Sequence, residues 1–348
     1  MKAKKSRLTA FAVSAAVLVG GGGVAFANPL NVTNRLTEAF KDVTPNTEIL
    51  NANCWTDEQV AHAGADYLID LSNAIRLPST NSVFNGNSLQ LGTDETKASV
   101  YQKEGSLTFA HDGLFLKNVV WGHWGVAKES LQIEGNVSVL GKAEFQSDNP
   151  DTGLAFTGAW TGDETSSIEV YDNKNPLRDY TLSLLGDLSR YLGKIRVYKG
   201  AVLRLGETTF PGTLEMDNAG GAGVLKTADE TTGVTLGALT LTAGTVLEAQ
   251  ARLADGTTPD TNNGFRVTKA LLVTGPVAVT RPSALESGES LAVASPERRF
   301  PFLTKAARAT GELKLDDFAL TNASAAAAID DLVSLTVTND ADTGDTSL

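Results

Sequence analysis

Short segments in which apolar and polar residues alternate recur along this chain, and each stops at Gly, Asn, Asp or Pro. "NSLQLG" (87–92) sets Leu89 and Leu91 on one side and Ser88 and Gln90 on the other. "GSLTFAHDG" (105–113) repeats the pattern with Leu107 and Phe109. "ESLQIEGNVSVLG" (129–141) has Leu131 and Ile133, a Gly135-Asn136 corner, then Val137 and Val139. "GDLSRYLGKIRVYKGAVLRLG" (186–206) places Ile195 and Val197, then Leu203 and Leu205, on either side of a Lys199-Gly200 hinge. "LGALTLTAGTVLEAQ" (236–250) and "FRVTKALLVTGPVAVT" (265–280) continue the style. A period of two marks strands with one buried face. The glycine and asparagine stops supply the left-handed backbone angles of tight corners. The chain therefore reads as all-β. The exceptions are a short helical turn at 34–41 and an alanine-rich helix or irregular cover at 322–332.

Two all-β architectures fit such segments. A β-sandwich pairs antiparallel strands in two sheets. A β-solenoid, or parallel β-helix, winds short strands into stacked coils that touch only their neighbours. Many short, similarly punctuated strands favour the β-helix, with the β-sandwich as the alternative. At three strands per coil, the chain supplies on the order of eight to ten coils, a stack roughly 40–50 Å long at the usual strand spacing.

The first 27 residues do not belong to that object. Lys2, Lys4, Lys5 and Arg7 precede an apolar stretch that ends in Ala25-Phe26-Ala27. This is the layout of a cleaved signal peptide. Four consecutive glycines, Gly20 to Gly23, weaken the same stretch as an uncleaved spanning anchor. No later stretch reaches the roughly 20 apolar residues of a transmembrane helix, so the mature chain is expected to have no transmembrane segment. The expected organisation is a signal peptide (1–27), an N-terminal lead-in or cap (28–54), the β-helix (55–320), and a C-terminal cap with an acidic tail (321–348).

Loss of the leader removes four basic residues and no acidic one, taking the formal charge from −12 to −16. Nucleic-acid binding needs basic patches to displace counterions, so this balance argues against a nucleic-acid partner. It suits a self-repelling protein that is secreted, periplasmic or at the cell surface. The one cysteine, Cys54, cannot form an internal disulfide, so a packed core or stacked repeats must carry stability.

Within 186–206, the order Gly186-Asp187-x-Ser189-x-Tyr191-x-Gly193-x-Ile195-x-Val197, followed by Gly200, Leu203, Leu205 and Gly206, resembles the bacterial autotransporter-associated β-strand repeat. "ADYLID" and "IRLPS", then "VFNGNSLQLG" (83–92), resemble the opening of such exported passenger domains. "LGALTLTAGTVLEAQ", "FPFLTKA" (300–306) and "LVSLTVTND" (332–340) resemble their end. The resemblance spans about residues 55–340. It implies a single right-handed parallel β-helix displayed outside the cell, usually without catalysis. The residues after this stretch are too few for a translocator barrel, which needs many more strands. The expectation is thus a passenger-like protein without its own C-terminal barrel.

Candidate chemistry is sparse. His62, His111 and His123 lie in no zinc-binding spacing, and no Gly-x-Ser-x-Gly elbow occurs. No catalytic residue, metal site or cofactor is expected. "WGHWG" (121–125) is the most conspicuous cluster. Trp121, His123 and Trp124 are the candidate carbohydrate contacts, with Trp160 and Tyr171 extending the platform; the competing assignment is that the indoles are packing elements. "YDNKNPLRDY" (171–180) gathers Asp172, Lys174, Arg178 and Asp179. "NDADTGD" (339–345) offers Asp340, Asp342 and Asp345 as a partial calcium loop, although a full site wants six to eight oxygens. The functional expectation is an exported bacterial β-helix with a structural, adhesive or surface-recognition role, its partner an extracellular glycan or a surface protein. The alternative is a polysaccharide-binding or polysaccharide-degrading β-helix.

Overall fold

The Lys199-Gly200 hinge is not a hairpin. In the computed structural model, Lys194–Tyr198 and Val202–Leu205 belong to two different sheets, and each pairs in parallel with strands of the coils before and after it. Lys199 (φ 54°) and Gly200 (φ 78°) are both left-handed, which turns the chain from one face to the next. The structure describes residues 34–36, 49–50, 52–72, 74–77, 80–102, 105–111, 113–123, 131–147, 153–173, 180–228, 233–248, 264–280, 303–321 and 337–348.

Each coil is built from three strand segments. One face is a ten-stranded sheet, parallel throughout, that runs from Ser82–Phe84 to Phe318–Thr321. The other two faces form one seventeen-stranded sheet, because long strands bend at a corner and serve both. Gly113–His123 shows this: its first half pairs with Ser88–Leu91 and its second half with Ala98–Gln102. The ten strands of that face, about 4.8 Å apart, stack over roughly 43 Å. The chain is a β-solenoid and not a sandwich, since these strands stack in parallel on consecutive coils.

Inward positions stack in ladders. On the ten-stranded face Leu131, Leu154, Leu182, Leu203, Leu225, Leu247 and Val279 lie in register and are buried. On the second face Val119, Ala143, Ile168, Ile195, Leu214, Leu239 and Leu271 do the same. Each Leu or Ile so enclosed contributes ~1.5–3 kcal/mol of transfer free energy. Because each coil touches only its neighbours, corners can vary in length without disturbing the stack.

The corners account for the glycines of the 186–206 motif. A Cβ at Gly186 would collide with the carbonyl oxygen of Gly158, and one at Gly193 with that of Ser166. Asp187 Oδ1 accepts the Ser189 N–H at 2.8 Å, closing an Asx turn, and the Ser189 hydroxyl donates to Asp187 Oδ2 at 2.9 Å. Tyr191 is buried, and its hydroxyl donates to the Lys194 carbonyl at 3.1 Å. The motif therefore encodes a corner.

Both ends carry covers. At the N-terminal end Asn34–Arg35 pairs in parallel with Tyr67 and Leu68, so its first residues form a strand and not the expected helical turn. Trp55 is buried edge-on to Tyr67 at 4.7 Å, and its indole N–H donates to the Ile49 carbonyl at 2.9 Å. The neighbouring Cys54 is buried as well. At the C-terminal end Thr338–Asn339 and Thr346–Ser347 form a hairpin, which lies antiparallel to Leu303–Lys305 and covers that strand's edge. An ion pair between Arg266 and Asp345 ties the hairpin down. The expected signal peptide (1–27) and the alanine-rich 322–332 lie outside the described residues. Among the described residues, no helix is long and apolar enough to cross a membrane.

Candidate functional site

The second face gathers charge and aromatic surface on its outer side. Three strands of it carry outward triplets at alternate positions: Lys142, Glu144 and Gln146; Ser167, Glu169 and Tyr171; Lys194, Arg196 and Tyr198. Parallel in-register pairing sets Glu144 beside Glu169, Glu169 beside Arg196, and Arg196 beside Glu215. Adjacent carboxylates repel at this spacing unless cations lie between them. Lys142 Nζ supplies that bridge at 3.0 Å from both Glu144 and Glu169, and Lys97 Nζ reaches Glu144 at 2.9 Å. Lys194 pairs with Glu215, and Arg196 with Asp217.

Two tyrosines complete the network. The Tyr171 hydroxyl donates to Glu144 Oε2 at 2.9 Å, and the Tyr198 hydroxyl donates to Glu169 Oε2 at 3.0 Å. Their rings stack at 5.2 Å with 28° between planes. Lys199 Nζ lies 5.1 Å from the Tyr171 ring and 5.7 Å from that of Tyr198, and the Arg196 guanidinium lies 4.7 Å from Tyr198.

The protonation states follow from these contacts. Burial pushes the Glu144 carboxyl up, but hydrogen bonds from Lys97, Lys142 and Tyr171 outweigh it and hold it below the usual range. Burial and the neighbouring carboxylates push both phenols well above the usual tyrosine value. Burial raises Asp217 as well, yet the Arg196 bond leaves it depressed. Glu144 is thus held as an anion and the tyrosines as donors. A general acid needs a carboxyl raised toward neutrality, so this arrangement suits recognition better than proton transfer.

The tryptophan assignment needs correction. Trp121 is 1% exposed and packs inside the coil, stacked on Phe145 at 6.2 Å and edge-on to Phe156 at 5.7 Å. Trp160 is buried in the same cluster, 5.0 Å from Phe156. Neither offers a ring face to a sugar. The reason is a phase change within one strand: Leu114 and Leu116 point inward, the corner at Lys117-Asn118 intervenes, and Val119 and Trp121 then take the inward positions. His123 ends that strand, in register with Gln102 and Ser147. Trp124 lies outside the described residues. Among the described side chains of the proposed platform, Trp121 and Trp160 face inward and Tyr171 lies on the outer side, largely covered at 9% exposure.

Asp172 is buried at the end of its strand, while 174–179 lie outside the described residues. Asp340 Oδ1 accepts the backbone N–H groups of Asp342 and Thr343 at 2.9 and 3.2 Å, and Asp345 faces Arg266. These aspartates therefore close and anchor the terminal hairpin. Among the described residues, no group of three or more His, Cys, Asp and Glu could hold a metal ion. His62 pairs with Asp57 at 3.2 Å near the N-terminal end, far in sequence from the Tyr171 network, and His111 sits in an exposed bend. On the outer side of the ten-stranded face, Asn81, Val83, Ser106, Thr108, Gln132 and Glu134 line an open depression of about 310 Å³.

Sequence reasoning missed Lys97, Glu144, Glu169 and Tyr198. A usable signal exists in "KAEFQS", "SIEVYD" and "KIRVY". Superposing their inward pairs Ala143/Phe145, Ile168/Val170 and Ile195/Val197 brings the outward residues into one ladder. Comparison with protein-family models, curated proteins and solved structures returns no match.

Proposed function

We propose that this chain is an exported bacterial passenger-like protein that uses its β-helix as a recognition or adhesive scaffold at the cell surface. One observation carries the reading. A row of lysine, glutamate and tyrosine side chains lies on the outer side of a parallel ladder, each held in place by a neighbour on the next coil. Side chains fixed in this way have little conformational entropy left to lose on binding, which favours use as a docking surface. The basic-then-apolar N-terminus and the acidic balance support export. The test has two arms. Cell fractionation with N-terminal sequencing should recover a product starting near Asn28 outside the cytoplasm; an intact Met1 in that fraction would refute export through a cleaved leader. The purified chain should adhere to cells or extracellular material, and Tyr171→Ala with Tyr198→Ala should weaken adhesion. Unchanged adhesion by that double variant would remove this face from the function.

A further inference from the structure

Lys97, Lys142 and Lys194 occupy one position of the outward ladder. Lys97 precedes Ala98, whose partner is Val119, so it falls beside Asn118; Asn118 pairs with Lys142, Lys142 with Ser167, and Ser167 with Lys194. The cations thus stand on every second coil, roughly 10 Å apart along the axis. Their side chains are 43%, 44% and 48% exposed, whereas the carboxylates they meet, Glu144, Glu169 and Glu215, are 11%, 23% and 24% exposed. The anions form the floor and the ammonium groups form the outer layer. Lys199 adds a cation beside the stacked tyrosines, whereas Arg196 there is paired with Asp217.

We propose that this strip binds an anionic polysaccharide lying along the solenoid axis, its carboxylates on the lysine row. The inference rests on the recognition reading above and names the partner of the same face. An ammonium group has three N–H donors. Among the described residues Lys97 meets one carboxylate, Lys142 meets two and Lys194 meets one. Donors therefore remain for an incoming anion, and the recessed carboxylates fix the heads that carry them. The net charge, −12 for the whole sequence and −16 without the expected leader, does not forbid such a partner. Charges more than a Debye length away, about 8 Å at physiological ionic strength, are largely screened, so the local strip decides. A periodic row of cations also suits a polymer with repeating charge better than a single small anion, because linked contacts reinforce one another.

The test is binding of the full chain to polygalacturonate at low and high salt, with dextran as the uncharged control. Polygalacturonate should bind at low salt, weaken as salt rises, and outbind dextran. Lys97→Gln with Lys194→Gln should weaken binding about tenfold, equivalent to ~1.4 kcal/mol. Lys226→Gln, on the ten-stranded face, should leave it unchanged. A Lys97→Arg and Lys194→Arg variant keeps the charge and should retain binding, which separates charge from folding. Equal binding of dextran, no response to the glutamine pair, or an arginine pair as weak as the glutamine pair would each overturn the proposal. Adhesion to cells by a chain that ignores polygalacturonate overturns this inference alone and leaves the recognition reading standing. Absence of both removes the two together.

Discussion

Truncation of Trp121 to alanine measures how the central aromatic cluster holds the coils together. The indole is 1% exposed and lies between Val100 and Phe145 on the coils to either side. Its ring also meets Phe156 across the interior at 5.7 Å. An aromatic side chain of this kind buries about 150–250 Å², worth ~4–6 kcal/mol at about 25 cal/mol per Å². One term opposes this. The Trp121 Nε1–H is buried with no hydrogen-bond partner among the described residues, and such a donor costs ~1–3 kcal/mol. Removing it recovers that cost, so the net loss on Trp121→Ala is roughly 1–5 kcal/mol, centred near 3, at the lower edge of the range for large aromatic truncations. Trp121→Phe keeps a ring against Phe145 and Phe156 and discards the orphan donor, so it should lose ~1 kcal/mol or less. Guanidinium unfolding followed by far-UV circular dichroism reads both values. Stacked repeats can unfold in stages, so amide exchange at Val100, Phe145 and Val170 should localise the loss to adjacent coils. A midpoint for Trp121→Ala within ~0.5 kcal/mol of the parent, the range of surface substitutions, would refute the packing argument. A loss for Trp121→Phe well above ~1 kcal/mol would refute the orphan-donor term, and equal losses for the alanine and phenylalanine variants would refute the contribution of the ring contacts with Phe145 and Phe156.

Further outcomes follow from the same geometry. Leu205→Asp places a charge among the stacked leucines and should cost several kcal/mol, whereas Thr209→Asp, at an exposed outward position, should cost ~0.5 kcal/mol or less; equal thermal midpoints would contradict the inside–outside assignment. Gly193→Ala puts a Cβ against the Ser166 carbonyl and should destabilise by ~1–3 kcal/mol, and an unchanged midpoint would show that this corner is not closely stacked. The folded value of Glu144 is depressed, so its contribution to stability is complete above the unfolded value of 4.5 and is lost as pH falls through the lower folded value. A Glu144→Gln variant should therefore show a smaller loss of stability than the parent over that acidic window; identical pH profiles would exclude the carboxylate's role.

Much of the fold was legible because its determinants are local. Alternation in "LQIE" and "VLRL" assigns inward and outward sides without reference to any partner, and Leu131, Ile133, Leu203 and Leu205 are inward as read. Glycine at 186, 193 and 200 marks corners because a tight turn, or the approach of another coil's backbone, is incompatible with a larger residue there. What was not legible is what the coils bring together. Lys97 and Glu144 are 47 residues apart, Tyr171 and Glu144 27, and Tyr198 and Glu169 29. No constant interval relates them, because corner loops of different lengths separate strands that stack at a constant spacing. Trp121 was misplaced for a related reason. One corner residue more or less reverses which alternate positions face inward, and Lys117-Asn118 does this in the middle of a continuous strand. The sequence by itself therefore determined that the chain forms short one-sided strands turning at glycine corners. Only the tertiary structure decided which outward side chains share a face, because register is set by stacking between coils and not by the chain within one.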